Sequence, residues 1–368
     1  MSTTDPTTSP LGPTTPPSDK IDWSNLGFNY RDTNGYIKYT WTNGEWDTGV
    51  WETDPYLKVH VASTGLNYGQ ECFEGLKAFR CKDGRVRVFR PHANANRMID
   101  TAHLASMVPV PEEIFLDAVR RTVTGNLEFI PPYGSGGSAY LRPLLFGNGP
   151  MLALDPAPVF TFVVFVVPVG SYYSNGAKPV DAWVVEDFDR AAPFGTGSAK
   201  LGGNYAPVFR PTKEAKERGY AITLHLDSAT RSHIDEFSTS NFVALTHADP
   251  TTGHTTLVTP NSPSILRSVT RSSLVQLARS FGWSIEERMV LFKELEDGAF
   301  AEVAACGTAA IITPVKKVVK GERVIDIGGG ANTERIGPGF EKLLNAYKAI
   351  QGGNVEDPYG WMWPAEGF

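Results

Sequence analysis

The rhythm of apolar and polar residues changes several times along the chain, and each rhythm predicts an element. "YIKYTW" (36–41) and "RVRVFR" (85–90) alternate residue by residue, as half-buried strands do, with "GEW" and "KDG" supplying the turns. "PEEIFLDAVRRTVTGN" starts with acids and ends at a glycine, which predicts a helix. "SAYLRPLLFG" and "PVFTFVVFVVPVG" are β-rich, and the second, apolar on both faces, predicts a strand central in its sheet. Turn residues then crowd "SYYSNGAKP" (171–179). Beyond them, strands such as "YAITLHLD" and "HTTLVTP" alternate with helices such as "SLVQLARSFG" and "PGFEKLLNAYKAIQGG". The pattern predicts a small domain over residues 21–175, a linker over 176–190 and a larger α/β domain over 191–368. Residues 1–20 are Ser, Thr and Pro with almost nothing apolar; unable to bury enough surface to offset their ordering entropy, they are expected to be disordered.

Composition narrows the function classes. The 368 residues are enough for two domains, and 41% hydrophobic with 20% charged residues describes a globular chain. A net charge of −6 offers no electrostatic footprint for nucleic acid or an anionic membrane. The longest apolar run, Pro158 to Gly170, falls short of the ~20 residues a spanning helix needs. Three cysteines lack paired spacing and seven histidines lack metal-ligand spacing, so neither a disulfide framework nor a metal site is indicated. The first 20 residues resemble neither a mitochondrial presequence nor a secretory signal, and a reducing, cytoplasmic setting is expected.

One lysine stands out. "GTGSAKLGGNYA" (195–206) sets Lys200 among small residues that let backbone come close, which suits either an exposed loop or an amine held against something flat. "HIDEFSTSNFVAL" (233–245) carries Asp235 and Glu236 and reads as a loop before a strand. "SPSILRSVTRSSLVQLA" places Ser268, Val269 and Thr270 where a helix begins, with N–H groups suited either to an anion or to a plain N-cap. "ACGTAAIITPV" offers a second small-residue turn, with Thr308, before a strand. In "RPHANANRM", Arg97 could grip a phosphate bidentately or pair with a surface carboxylate. A lysine, an acid and several phosphate donors together meet the requirements of pyridoxal 5′-phosphate.

The combination resembles the branched-chain aminotransferase family of fold-type IV pyridoxal phosphate enzymes. The motifs are "YGQECFEGLKAFR", "RPHANANRM", "YLRPLLFGNGP", "AKLGGNYA", "EFSTSN", "SVTRSS" and "CGTAAIITPV", in the family's order from Leu26 to about Tyr347. The resemblance implies an α/β (α+β) fold of two domains, a small N-terminal one and a larger C-terminal one that is barrel-like and binds the cofactor. It implies that Lys200 forms the internal Schiff base and carries the α-proton, that the glycines after it let the chain pass close to the cofactor ring, and that Glu236 pairs with the pyridine nitrogen. Tyr205 matches the tyrosine on the cofactor's phenolic oxygen; Arg97, Val269, Thr270 and Thr308 match the phosphate cup.

For substrates, the resemblance implies one pocket for aliphatic side chains and for glutamate. Phe28, Tyr68, Phe73, Tyr140 and Tyr172 match its walls, and Arg142 the arginine that meets the glutamate side-chain carboxylate. Thr239 and the backbone at Thr308–Ala309 match the groups on the α-carboxylate. Leu152 and Leu154 match residues delivered by a partner subunit, which implies a homodimer. Phe237 and Ser238 depart from the family's smaller residues, and Cys306 alone cannot form the paired-cysteine switch of some animal relatives. The expected activity is transamination of branched-chain or similar aliphatic L-amino acids with 2-oxoglutarate and glutamate. A transaminase for D-amino acids or (R)-amines, a shorter-chain lyase, and a phosphate-ligand binding module are the alternatives.

Overall fold

The computed structural model describes residues 15–170, 177–330 and 334–364. It divides into two units, one of residues 1–172 with 349–368, the other of residues 173–348.

The first unit is built on an antiparallel nine-stranded sheet, in the order Met362–Pro364, Val86–Phe89, Leu76–Arg80, Ser138–Asn148, Val159–Val169, Tyr36–Thr42 and Glu45–Trp46, with Val50–Glu52 and Glu71–Phe73 paired off this path. Val159–Val169 is central, as its two-sided apolar run predicts. Strict alternation gives Tyr36–Thr42 one buried face, Ile37 and Tyr39 pointing inward. The helix Glu112–Thr124 lies over the sheet. Phe115 stacks on Phe162 at 6.0 Å, and the Thr122 hydroxyl donates to the Val164 carbonyl at 2.9 Å.

Two expectations change here. Thr15 and Ser18, expected in a disordered leader, are bonded to this unit: the Thr15 carbonyl accepts from Arg80 at 2.9 Å and the Ser18 N–H donates to Glu128 at 2.9 Å. Composition registers side chains and misses such backbone groups. The C-terminal residues expected in the second domain return to the first, where Met362–Pro364 pairs with Val86–Phe89.

The second unit carries a ten-stranded sheet. Its strands Ser240–Thr246, Phe300–Gly307, Ile311–Lys320, Val180–Val184, Ile222–Leu226 and His233–Phe237 pair in that order, and the last pairs back to the first, closing a barrel. All six strands contribute to one apolar cluster: Ala182, Leu224, Phe237, Phe242, Val303 and Val315 are among its members. Alternation therefore puts these residues inside the ring and their neighbours outside. Val180–Val184 occupies the stretch expected as a linker. Both of its edges are sheet-paired in parallel, which a short "VDAWV" after turn residues does not reveal.

Candidate active site

The outer face of the barrel carries a row of polar side chains. His225, Glu236, Asn241 and Cys306 are successive Cα partners across four strands, so their side chains share one face. Each is buried. Asp235 and Glu236, expected in a loop, lie on the strand His233–Phe237. A register shift at Asp235 breaks the alternation that would have marked it, and the hydroxyl-rich stretch is the hairpin Ser238–Thr239.

Glu236 is held from three sides. Arg190 and the Leu266 N–H (3.3 Å) donate to Oε1, and Asn241 Nδ2 donates to Oε2 at 2.9 Å. A carboxylate has about four acceptor positions, which leaves one on Oε2. Burial pushes this carboxyl up to about 7, against the pull of the Arg190 charge and the Leu266 amide. Beside it, burial and Arg190 push His225 down to about 3, so its imidazole is neutral. Its Nε2 lies 3.2 Å from the Thr223 hydroxyl, which also bonds the Ser238 hydroxyl; Nδ1 is buried without a hydrogen-bond partner among the described residues. Burial pushes the Cys306 thiol up to about 12.

Lys200 lies in the loop ahead of the helix Phe209–Glu217, and its Nζ donates to the Tyr205 hydroxyl at 2.8 Å. The short 3-10 turn Gly202–Asn204 accounts for the five-residue spacing. Asn204 ties the loop on both sides of the lysine. Its Nδ2 donates to the carbonyls of Thr196 (2.7 Å) and Ala199 (2.9 Å), and the Thr196 hydroxyl donates to its Oδ1 (2.9 Å). The close approach to protein backbone lies at Gly197, where a Cβ would sit 2.1 Å from the Ser264 carbonyl oxygen; a Cβ on Gly203 would meet none of the described protein atoms within 4 Å. Gly197 thereby seats the lysine loop on the segment that leads to Leu266.

That segment continues into the helix Val269–Ser280, opened by Ser268, whose hydroxyl accepts from the Arg271 N–H at 3.1 Å. Val269 and Thr270 are buried in its first turn. Thr308 and Ala309 form the turn after Phe300–Gly307, beside the Thr239 hairpin: a Cβ on Gly307 would lie 3.2 Å from Ser240 Oγ. Glu236, Thr239, Val269, Thr270, Thr308 and Ala309 thus gather on one side of the barrel.

The first unit holds the other expected residues. Phe28 meets Tyr140 edge-on at 5.7 Å, and the Arg142 guanidinium lies 4.9 Å from the Phe73 ring and 5.5 Å from that of Tyr140. Gly75 makes room: a Cβ there would come within 2.1 Å of the Tyr140 hydroxyl. Arg142 Nε is buried with no hydrogen-bond partner among the described residues. Tyr68 joins a different group, donating to the Leu152 carbonyl at 2.6 Å. Arg97 pairs with Glu74, both contacts at 2.6 Å. That carboxylate is fully buried rather than at the surface, and the pair is internal to the first unit. Tyr172 lies outside the described residues.

Arg190, Asn204 and Asn241 escape the sequence reading. Asn204 and Asn241 stand inside quoted motifs, but amides there look like ordinary turn residues. Arg190 is a lone cation in "DFDRAAP", 46 residues from the carboxylate it meets.

The family profile described as amino-transferase class IV matches residues 71–318. Transaminase AMT5 from Alternaria alternata is 45% identical over 347 residues, covering 94% of this chain and 92% of that protein. The branched-chain-amino-acid aminotransferase of Haemophilus influenzae is 42% identical over 350 residues, covering 93% and 98%. The crystal structure of the Escherichia coli branched-chain amino acid aminotransferase superposes with a TM-score of 0.69 at 29% identity, covering 90% of this chain and all of that one.

Proposed function

We propose, on the premise that this chain belongs to the class IV aminotransferases and is a pyridoxal 5′-phosphate-dependent transaminase, that it moves amino groups between branched-chain or related aliphatic L-amino acids and the 2-oxoglutarate/glutamate pair. The observation that carries the substrate reading is Arg142. Its guanidinium rests on two aromatic rings with Nε unpartnered, among the described residues, so an apolar wall and an unmatched cation stand together. An aliphatic side chain suits the rings, and a γ-carboxylate suits the cation.

The second unit fits the cofactor. The open acceptor position on Glu236 Oε2 suits a pyridine N–H; the buried start of Val269–Ser280 and the Thr308 turn suit a phosphate. Lys200 supplies the amine, with Tyr205 holding it at 2.8 Å. Bound there, the cofactor supplies an electron sink for the substrate's Cα. In this reading Lys200 Nζ moves the Cα proton, Glu236 keeps the pyridine nitrogen protonated, and Thr239 and Ala309 hold the α-carboxylate.

Tyr68, Leu66, Val61, Leu152 and Leu154 expose apolar surface in one neighbourhood, Leu154 at 92%. Such a patch suits a homodimer interface, with Tyr68 accompanying Leu152 and Leu154 toward the partner. Three buried free thiols suit a reducing cytoplasm.

The test is a half-reaction panel read by the cofactor's absorbance. L-leucine, L-isoleucine and L-glutamate are expected to convert the enzyme, and D-alanine and an (R)-amine are not. Conversion by either of the last two without the L-amino acids would overturn the assignment.

A further inference from the structure

Among the described residues, five that are not glycine adopt positive φ: Asn43, Arg90, Ser106, Arg231 and Ile311. Ile311 alone is β-branched, and its φ is +64°. There the side chain crowds the backbone, which makes such a conformation an outlier for isoleucine although glycine and asparagine tolerate it. Ile311 opens the strand Ile311–Lys320, directly after the turn that carries Thr308 and Ala309. The Ile312 N–H donates to the Ala310 carbonyl at 2.8 Å, closing a three-residue turn around Ile311 with the φ sign of the rarer, strained γ-turn.

A strained residue persists only where its surroundings over-determine it, and such residues gather at functional sites. Two features do so here. Ile311 is buried, only 6% exposed, so its side chain is held by the packing around it. Its partner in register is Gly307, fitted against Ser240. Glycine at 311 would accept the same φ freely, but would accept many others as well.

We propose that Ile311 is a positioning residue: its buried side chain pins a left-handed backbone that holds the Thr308–Ala310 turn ready for the cofactor's phosphate. The proposal rests on the reading of Thr308 as a phosphate donor. Pre-organisation of this kind shows as tighter cofactor binding without a new contact.

The test compares Ile311→Ala with Ile311→Gly as apoproteins and then with pyridoxal 5′-phosphate. At an ordinary site alanine is the more stable of the two. Here the order is expected to reverse, the glycine variant melting roughly 2 °C above the alanine variant. Titrated with cofactor and followed by protein fluorescence, both variants are expected to bind about tenfold more weakly than the unmutated protein, because neither has the buried side chain that pins the turn. The ordinary stability order would overturn the strain, and a cofactor affinity unchanged from the unmutated protein in both variants would overturn the positioning role. Where neither variant folds, hydrogen exchange in the unmutated apoprotein decides. Slow exchange at Ile311 and Ile312 supports a pre-formed turn, and exchange as fast as an exposed loop overturns it. Failure of the unmutated protein to bind pyridoxal 5′-phosphate would overturn the cofactor reading itself, whatever the stability order.

Discussion

Arg190 donates to the carboxylate of Glu236, and their side chains are only 9% and 5% exposed. Burial alone favours the neutral acid; the guanidinium opposes it and is the largest influence holding the proton off. In the proposed reading, Arg190 is what favours the charged carboxylate that a pyridine N–H would meet. Removing one member of such a buried pair typically costs about 3–5 kcal/mol, since the other is left uncompensated.

Glu236→Gln is therefore expected to keep cofactor binding and to lose chemistry. A neutral amide cannot hold the pyridine nitrogen protonated, and the single-turnover rate with L-leucine should fall roughly 10²-fold or more. An unchanged rate would refute the role. In Arg190→Met the carboxyl rises further above its present value of about 7, so the acid limb of the pH–rate profile moves to higher pH. A limb that stays in place would show that Arg190 does not act through Glu236.

The loop that carries Lys200 is the target of a second prediction. Asn204 uses its amide as donor twice and as acceptor once. Asn204→Ala loses three bonds, each worth about 0.5–1.5 kcal/mol. Asn204→Asp should be worse, despite its shape, because it sets a carboxylate oxygen against the Thr196 and Ala199 carbonyls. Thermal denaturation of the apoprotein reads both, and an Asp variant more stable than the Ala variant would contradict the bonding pattern.

His225 predicts a pH dependence of stability. Its folded value, about 3, lies below the ordinary 6.5, so the native state binds fewer protons than the unfolded state between those values. The contribution is fully present above about pH 6.5 and is lost as pH falls toward 3. Phe188, edge-on at 6.3 Å, Thr223, Ser238, Glu236 and Arg190 are the groups around the ring; Arg190 is charged throughout, and Glu236, pushed up to about 7, is present in both proteins compared below. Urea unfolding at pH 7 and pH 5 should show the unmutated protein losing on the order of 2 kcal/mol more than His225→Phe, at about 1.4 kcal/mol per pH unit. Parallel losses in the two proteins would mean that His225 titrates normally.

What could be read ahead of the structure follows the range of each interaction. Tyr36–Thr42, Glu112–Thr124 and Val159–Val169 announce themselves because alternation, a terminal glycine and a two-faced apolar run are local. The cap at Ser268 is local too. The barrel's closure is not: it depends on His233–Phe237 finding Ser240–Thr246 on one side and Ile222–Leu226 on the other, with Asp235 disturbing the alternation. Met362–Pro364 reaches its partner strand across most of the chain, and three residues carry no period. Lys200 and Glu236 stand inside motifs that mark them as candidates, whereas Arg190 is connected to Glu236 only in space.

Arg142 gives the sharpest test of dual recognition. Its guanidinium lies over Phe73 and Tyr140, and no ion-pair partner meets it among the described residues. Glutamate and 2-oxoglutarate bring a second carboxylate; leucine does not. Arg142→Met should then lower kcat/KM for glutamate by about 1.5–3 kcal/mol, roughly 10- to 150-fold, the usual loss of a charge-assisted contact. Leucine should lose far less, since methionine keeps an apolar surface against the two rings. Arg97, by contrast, has its own carboxylate partner in Glu74; were Arg142 purely structural, its removal would weaken both substrates together. Equal losses for leucine and glutamate would overturn the assignment, and a loss confined to the acidic pair would establish Arg142 as the residue that lets one pocket serve both.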